Sequence, residues 1–432
     1  MSSNDASSRR TLLRVAGATL SGTLAGCAGT SRSSPDGDGT AVSCSSADHP
    51  YPSDWPLAGY DSRNTAANPE ATGPRESVGV EWTADGLRSV WGTPVVAGES
   101  VYVQETSTRL SAFARETGGK RWSVELTETG DSQATTSHSG PHLTPAVAGD
   151  TVYVGGGTIA VETDGPRVER TDNRVRLYAI DRHDGTTRWT VRPDHYVATA
   201  PVVVGDTVLF ATLAGTLYAV DTGRERVAWR STLDGLEAPI PTPAVADCRC
   251  YLTTVENGLY ALDVSTGQRK WHLPAVGSGS PPAVADGLVF VCGRDGTVAA
   301  VDTETQSVAW RFDAGRAVST ASPAVAGGTV FVGDADGDAG DEAARIHALD
   351  ATTGEEVWSA RTEEYVNASP AVADGLVYVA VRDEIRALDA ATGEQKWRFD
   401  ASGSIRAPLS VADGTVFAGT LNGRVYALGE SS

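Results

Sequence analysis

Lysine is nearly missing from this 432-residue chain, which has it only at Lys120, Lys270 and Lys396. Acidic residues outnumber basic ones 55 to 35, for a formal charge of −20. So acidic a balance disfavours nucleic acid and anionic headgroups as partners. Cysteine is thin as well: there are five, no two adjacent, and no Cys-x-x-Cys. The chain also contains no Gly-x-Ser-x-Gly, His-Glu-x-x-His or phosphate loop, so the common hydrolase, zinc-protease and nucleotide-binding chemistries have no motif to stand on. No stretch approaches the ~18 consecutive apolar residues that a membrane-spanning helix needs.

A phrase repeated eight times dominates what is present. Its fullest copy is Ser369-Pro370-Ala371-Val372-Ala373-Asp374-Gly375-Leu376-Val377-Tyr378-Val379, followed by Ile385-Arg386-Ala387-Leu388-Asp389-Ala390-Ala391-Thr392-Gly393 and Trp397. The first half returns at Pro94, Pro145, Pro201, Pro243, Pro282, Pro323, Pro370 and Pro408. The second half ends at Trp122, Trp189, Trp229, Trp271, Trp310, Trp358 and Trp397. A fixed period near forty residues marks a repeat architecture in which each unit is too small to bury its own core.

Each repeat parses into four short strands. Pro-Ala-Val-Ala ends in an Asp-Gly or Gly-Asp turn, an alternating β-branched strand follows, and a variable loop leads to a third strand such as Leu259–Asp263. A Thr-Gly turn then opens a brief fourth strand that closes on tryptophan. The expected fold is all-β, an eight-bladed propeller of four-stranded antiparallel blades. The eighth repeat stops after Val425-Tyr426-Ala427-Leu428 with no Trp strand behind it, whereas Val78-Gly79-Val80-Glu81-Trp82 stands alone ahead of the first repeat. The N-terminal strand at 78–82 is therefore expected to close the last blade and remove its free edge. Trp82 then completes a set of eight structural tryptophans that pack between blades.

The Ala-Leu-Asp-x-x-Thr-Gly-x-x-x-Trp phrase resembles the repeat of pyrroloquinoline-quinone-type (PQQ-type) propellers. The lead-in Trp55-Pro56-Leu57-Ala58-Gly59-Tyr60-Asp61, with Asn64-Thr65 and Asn68-Pro69, resembles the segment before the first blade in prokaryotic members. That superfamily holds quinoprotein dehydrogenases and also non-enzymatic lipoproteins, among them the propeller subunit of the outer-membrane barrel assembly machinery. The enzymatic branch implies a PQQ site with calcium-binding carboxylates and a disulfide between adjacent cysteines, and adjacent cysteines do not occur here. The resemblance therefore favours the non-enzymatic branch, with no cofactor.

Four segments follow from the ends inward. Residues 1–26 read as an address: Arg9-Arg10 within Ser8–Arg14 resembles a twin-arginine export signal, and Leu24-Ala25-Gly26-Cys27 resembles a lipobox, with Cys27 the lipidated residue. Residues 27–50 are rich in Ser, Gly, Asp and Thr and read as a flexible tether. Residues 51–77 are the lead-in, and 78–428 the propeller. Removing residues 1–26, which carry a net +2, leaves −22 on the mature chain. Acid surplus with arginine in place of lysine resembles proteins of halophilic archaea, so the charge is expected to be a solvated face.

Function is expected on loops. The first and third turns of each blade share one rim, here called the first rim, and are tight. The second turns and the inter-blade connections share the second rim, where all three long excursions fall: Ser123–His142, Gly155–Arg174 and Gly333–Ala344. The candidate ligand ring at that channel mouth is Arg88, Trp91, His142, Tyr196, Arg316, Tyr365 and Arg406. Asp334, Asp336 and Asp338 place oxygens at alternate positions as a calcium loop does, but glycine and the closing glutamate of that pattern are missing. Cys248 and Cys250 flank Arg249 in the first turn of the fourth repeat. They can bridge to Cys292 or stay buried thiols, and spacing does not decide.

The expectation is a non-catalytic, lipid-anchored cell-surface scaffold that binds envelope or secreted proteins. The alternative is a quinone- or calcium-dependent extracellular oxidoreductase. Mass spectrometry of the mature protein is expected to find a lipid-modified Cys27 as its first residue, and Arg9→Lys with Arg10→Lys to abolish export. An intact Met1 in the cytoplasm would refute both.

Overall fold

The computed structural model describes residues 53–431 except 106–108, 127–143, 158, 165–166, 174, 234–240, 255–256, 275, 278, 316–317, 319–321, 335–343, 363 and 367. Eight blades, each a four-stranded antiparallel meander, follow one another along the chain, and the sheet of blade 7 is extended to five by the short parallel strand Ala67–Asn68. Their inner strands are Val95–Ala97, Ala146–Ala148, Val202–Val204, Ala244–Ala246, Ala283–Ala285, Ala324–Ala326, Ala371–Ala373 and Ser410–Ala412. Each inner strand pairs with the strand after it through an Asp-Gly-like turn, and the third and fourth strands complete the meander.

One row of side chains builds every blade. A small alanine in the third strand stands in register with the fourth-strand tryptophan: Ala112 with Trp122, Ala179 with Trp189, Ala219 with Trp229, Ala261 with Trp271, Ala300 with Trp310, Ala348 with Trp358, Ala387 with Trp397 and Ala427 with Trp82. The missing side-chain bulk at alanine lets the indole lie over the sheet toward an aromatic residue of the second strand. The pairs Tyr102–Trp122, Tyr153–Trp189, Tyr251–Trp271, Phe290–Trp310, Phe331–Trp358, Tyr378–Trp397 and Phe417–Trp82 have centroids 5.8 to 6.0 Å apart, within the range of favourable tilted aromatic contacts. In blade 3, Leu209 faces Ala219, and the aromatic contact moves to Phe210 stacked on Tyr218.

The same indoles join the blades. Trp82 Nε1 donates to the Arg115 carbonyl at 2.7 Å, Trp122 to Arg182 at 3.0 Å, Trp229 to Val264 at 2.8 Å, Trp310 to Ala351 at 2.9 Å and Trp358 to Ala390 at 3.0 Å. Each acceptor lies just past the third strand of the next blade. The Thr-Gly turn there also needs its glycine: at Gly354, with φ +74, an added Cβ would lie 2.5 Å from the Trp310 ring. No other residue tolerates both that φ and that approach.

Ring closure follows the expectation from sequence. Gly79–Ala84 pairs antiparallel with Val425–Gly429 and is the fourth strand of blade 8. This strand begins one residue later and runs two residues further than the phrase at 78–82. Because it arrives from the other end of the chain, blade 8 has no Thr-Gly turn for Trp397 to meet. The lead-in substitutes for it: the Pro74 carbonyl accepts Trp397 Nε1 at 2.7 Å and Tyr378 OH at 3.4 Å.

One excursion departs from the expected loop. Within Gly155–Arg174, strands Ile159–Asp164 and Arg167–Asn173 form an antiparallel ribbon that belongs to no blade.

Trp310→Ala removes the indole from a blade interface and leaves the Ala351 carbonyl without its donor. It is expected to lower unfolding free energy by about 3–5 kcal/mol, read from denaturant titration, with blade 3 probes and blade 6 probes melting together.

Candidate binding surfaces at the two rims

The inner strands turn their unpaired backbone groups toward the channel, where only blade 7 gains a fifth strand, the parallel Ala67–Asn68 of the lead-in. A buried N–H there must find a partner. On the first rim the lead-in supplies the acceptors in blade order. Trp55 exchanges hydrogen bonds with Val96 at 2.9 and 3.0 Å, Val147 donates to Pro56 at 2.9 Å, Val245 to Ser62 at 2.6 Å, Val284 to Arg63 at 2.9 Å, Val325 to Thr65 at 2.8 Å, Val372 to Ala66 at 2.9 Å, and Gly414 to Thr72 at 2.9 Å. The lead-in is therefore a belt that runs once around the inside of that rim, touching blades 1, 2, 4, 5, 6, 7 and 8 in turn.

Side chains shape the belt. Asp61 Oδ1 accepts the Arg63 and Thr65 amides at 3.1 and 3.0 Å, turning the chain sharply. Buried Asn64, at φ +55, spreads its amide between the Pro243 and Pro282 carbonyls of blades 4 and 5, at 3.1 and 3.2 Å. Asparagine is among the few non-glycine residues that accept a left-handed backbone readily. Asp54 receives the Gly98 amide at 2.6 Å and the Arg115 guanidinium at 3.0 Å. Burial pushes the Asp54 carboxyl above the usual range, against those two partners.

Between belt and turns lies a cleft of about 680 Å³, lined among others by Tyr60, Arg63, Asn68, Asp286, Phe331 and Asp374. A smaller one of about 420 Å³ lies between blades 4 and 5, against Arg249, Tyr251, Lys270 and Gln306. Neither was expected from the sequence, because both depend on the path of the belt or on the space between blades.

At the second rim, Arg88 and Arg406 are exposed and Trp91 and Tyr365 half-buried, as residues at a mouth can be. Tyr196 is a correction: it is buried, packed in a small cluster with Val175 and Leu213, and its carbonyl accepts the Leu213 amide. His142 and Arg316 lie outside the described residues, and none of the described members of the proposed ring lines either cleft. What the structure brings together instead is an interlock of hydroxyls just before the repeat prolines. Thr93 N donates to Thr144 Oγ1 at 2.9 Å, Ala200 N to Thr242 Oγ1 at 3.2 Å and Ser322 N to Ser369 Oγ at 2.9 Å, each from one blade to the next. The Ser/Thr-Pro step in the repeat is its visible trace in the sequence. Fully buried Glu105 accepts Ser111 Oγ at 2.6 Å and the Arg88 amide at 3.0 Å, pinning the connection into blade 1.

Asp334 is also buried. Its Oδ1 caps the Arg345 amide at 2.6 Å, and its Oδ2 lies 3.9 Å from Nε2 of buried His347, whose Nδ1 is 2.7 Å from Glu356. Burial works against a charged His347, but Asp334 and Glu356 outweigh it and hold the imidazole pKa above its ordinary value. Asp336 and Asp338 lie outside the described residues, as do Arg9, Arg10, Cys27 and the tether at 27–50. Among the described residues no group of three His, Cys, Asp or Glu side chains is arranged to hold a metal, and no helix is long and apolar enough to cross a membrane.

The structure decides what spacing left open for two of the cysteines. Cys250 and Cys292 are free buried thiols, their pKa pushed up to about 12 by burial, and neither bridges to the other. Cys248 is in a disulfide, and its partner is not among the described residues.

Fold and belt define a closed eight-bladed propeller of PQQ-like repeats, fastened by its own N-terminal strand. The chain belongs to the family whose model is described as outer membrane protein assembly factor BamB, which matches residues 75–167, 171–281, 273–341 and 342–432. Over 316 residues it is 31% identical to the serine/threonine-protein kinase AfsK of Streptomyces griseus, covering 69% of this chain and 34% of the kinase. It is 26% identical to BamB of Legionella pneumophila over 191 residues, covering 42% of this chain and 48% of that protein. The chain thus spans about a third of the one relative and about half of the other. Two solved structures share the fold. The quinohemoprotein alcohol dehydrogenase of Comamonas testosteroni has a TM-score of 0.68 at 16% identity, over 89% of this chain and 82% of that one. BamB of Moraxella catarrhalis has 0.58 at 18%, over 82% and 99%.

The repeat aspartates make the first-rim turns sensitive to acid. Asp263 Oδ1 accepts the Ser265 and Thr266 amides at 3.0 and 3.1 Å, and Lys270 Nζ sits 3.0 Å from its Oδ2. Burial opposes ionisation there, yet hydroxyl and ammonium partners bring the carboxyl to about 2. Asp302 and Asp350 are lowered chiefly by the Thr305 and Thr353 amides. Depressed folded pKa values stabilise above the unfolded value near 4, and that stability is lost as pH falls toward the folded value. Thermal melts are expected to hold steady down to about pH 4 and drop steeply from there toward about pH 2; Asp263→Asn should flatten that drop.

Proposed function

We propose that this is a non-catalytic, lipid-anchored protein of the cell surface, whose propeller presents its second rim to envelope or secreted proteins. The observation that carries the reading is the asymmetry of the two ends. The first rim is occupied by the chain's own belt, which satisfies the inner strands from Val96 to Val372. The second carries the departures from the repeat, including the ribbon Ile159–Asp164 with Arg167–Asn173. Variable segments on a rigid frame are where recognition is usually placed, and a two-stranded ribbon alone in water is only marginally stable, so it gains from a partner. BamB relatives, named as assembly factors, support a role in holding other proteins. The acid surplus is read as adaptation to high salt, where long-range steering is screened and recognition relies on direct contact.

Affinity capture from envelope fractions tests this. Wild type is expected to retain a defined set of proteins. Replacing residues 158–174 by a short Gly-Ser link, or making Arg316→Ala with Arg406→Ala, should deplete that set at least severalfold while the melting temperature stays unchanged. An unchanged set would place recognition elsewhere. Stoichiometric binding of PQQ with calcium, accompanied by dye-linked alcohol oxidation, would favour the oxidoreductase reading that the shared fold with the alcohol dehydrogenase motivates.

A further inference from the structure

Trp82, Trp122, Trp229, Trp310 and Trp358 donate their indole N–H to the next blade, and Trp397 donates to the lead-in. Among the described residues, Trp189 and Trp271 make no such bond. The two exceptions share a cause. Where the facing turn carries glycine, at Gly118, Gly185, Gly267, Gly354 and Gly393, an added Cβ would lie 2.4 to 2.8 Å from the indole of the preceding blade. The turns facing Trp189 and Trp271 carry Glu225 and Gln306 instead, which keep the left-handed backbone at φ +57 and +55 but bring a real Cβ. The close approach is given up, and the indole bond with it. Between blades 4 and 5 the loosened junction is open: the cleft of about 420 Å³ lies there, with Trp271 and Gln306 in its wall.

Only blade 4 lines such a junction with two cations. Arg249 begins its second strand, at a register position where the other seven blades have serine, threonine or leucine. Lys270, one of three lysines in the chain, precedes Trp271. Both approach Oδ2 of Asp263, at 3.6 and 3.0 Å, and exposed Asp247 stands in the same wall. Two cations and two carboxylates leave the site without net charge. An anion drawn to Arg249 and Lys270 would also meet Asp247 and Asp263, on a chain of formal charge −20.

A neutral ligand rich in hydroxyls meets no such conflict. Each hydroxyl both donates and accepts. The cleft sets carboxylate acceptors beside the donors of Arg249, Lys270 and Trp271, and the exposed Gln306 amide supplies both. Burial raises the Tyr251 pKa, so its hydroxyl keeps its proton at neutral pH. The Tyr251 and Trp271 rings, 5.9 Å apart, add apolar surface for the C–H face of a saturated ring. The volume lies in the range of small-ligand pockets. We propose that the cleft between blades 4 and 5 is a carbohydrate site, which takes one neutral pyranose unit of a glycan. It opens at the turns of the first rim and does not depend on the second-rim reading.

The full-length protein on an array of neutral and acidic glycans tests this, followed by calorimetric titration with the methyl glycoside of the best-bound sugar. Neutral glycans are expected to retain the protein at least as well as acidic ones. Affinity for the glycoside should change less than about twofold between low and high salt, since charge screening does not act on a neutral ligand. Trp271→Phe keeps a ring and removes the N–H, and should weaken binding about tenfold. Arg249→Thr, which gives blade 4 the residue that blade 2 has there, should weaken it by a similar factor. Gln306→Gly restores the glycine of the repeat, so Trp271 is expected to close on the Thr303 carbonyl and binding to disappear, with the melting temperature unchanged or higher. An array without signal, retention by acidic glycans alone, or wild-type affinity in Gln306→Gly overturns the site.

Discussion

The contact between a fourth-strand tryptophan and a third-strand alanine is the one on which the rest of this protein depends. The alanine removes bulk from the middle of each sheet, the indole fills that space against a second-strand aromatic, and its N–H reaches the next blade. One side chain thus sets the packing within a blade and the spacing between blades. Because a four-stranded sheet of this size cannot bury both faces alone, stability is shared around the ring. The aspartate at the end of the third strand serves the same contact indirectly, by holding the turn whose glycine lies against the neighbouring indole.

A ring made by one chain has a seam, and the seam explains the N-terminal segment. Blade 8 borrows Gly79–Ala84, which removes its free edge. Borrowing the strand costs the turn that would have met Trp397, and Pro74 stands in for it. Further upstream, the belt solves a second problem that every propeller has, the unsatisfied amides of its innermost strands. Repeated Val amides spaced around the rim meet successive carbonyls of an extended, sharply turned segment. Closure and belt are consecutive stretches of chain, so the lead-in is committed to one face, and the two rims become chemically different although the blades are nearly equivalent.

That difference bears on function more than any single residue does. Buried polar groups at both rims, among them Asn64, Glu105 and Asp334, are engaged in holding turns and connections. The arginines described with close acidic partners, such as Arg115 with Asp54 and Arg188 with Asp181, hold local structure as well. The shared architecture of the alcohol dehydrogenase and BamB structures, at 16% and 18% identity, separates fold from activity.

The sequence alone determined the blade count, the strand order, the tryptophan set and the closing strand. Each of these follows from short-range periodicity repeated eight times, and one misread copy is corrected by seven others. Residues that occur once were another matter. Tyr196 was placed at the mouth by its position before a blade, and the structure buries it because Val175 and Leu213, from other connections, close over it. Nothing in Gly155–Arg174 separates a loop from a ribbon until the strands are seen to pair. The lead-in could be recognised as a segment, but its path along the inner strands depends on hydrogen bonds between residues far apart in the chain, such as Ala66 with Val372. The cysteines behave likewise: spacing left Cys248, Cys250 and Cys292 interchangeable, and only their burial in the packed blades distinguishes two inert thiols from one at a turn. Repetition writes the frame locally, whereas the asymmetry that gives this frame two faces arises from contacts between distant parts of the chain.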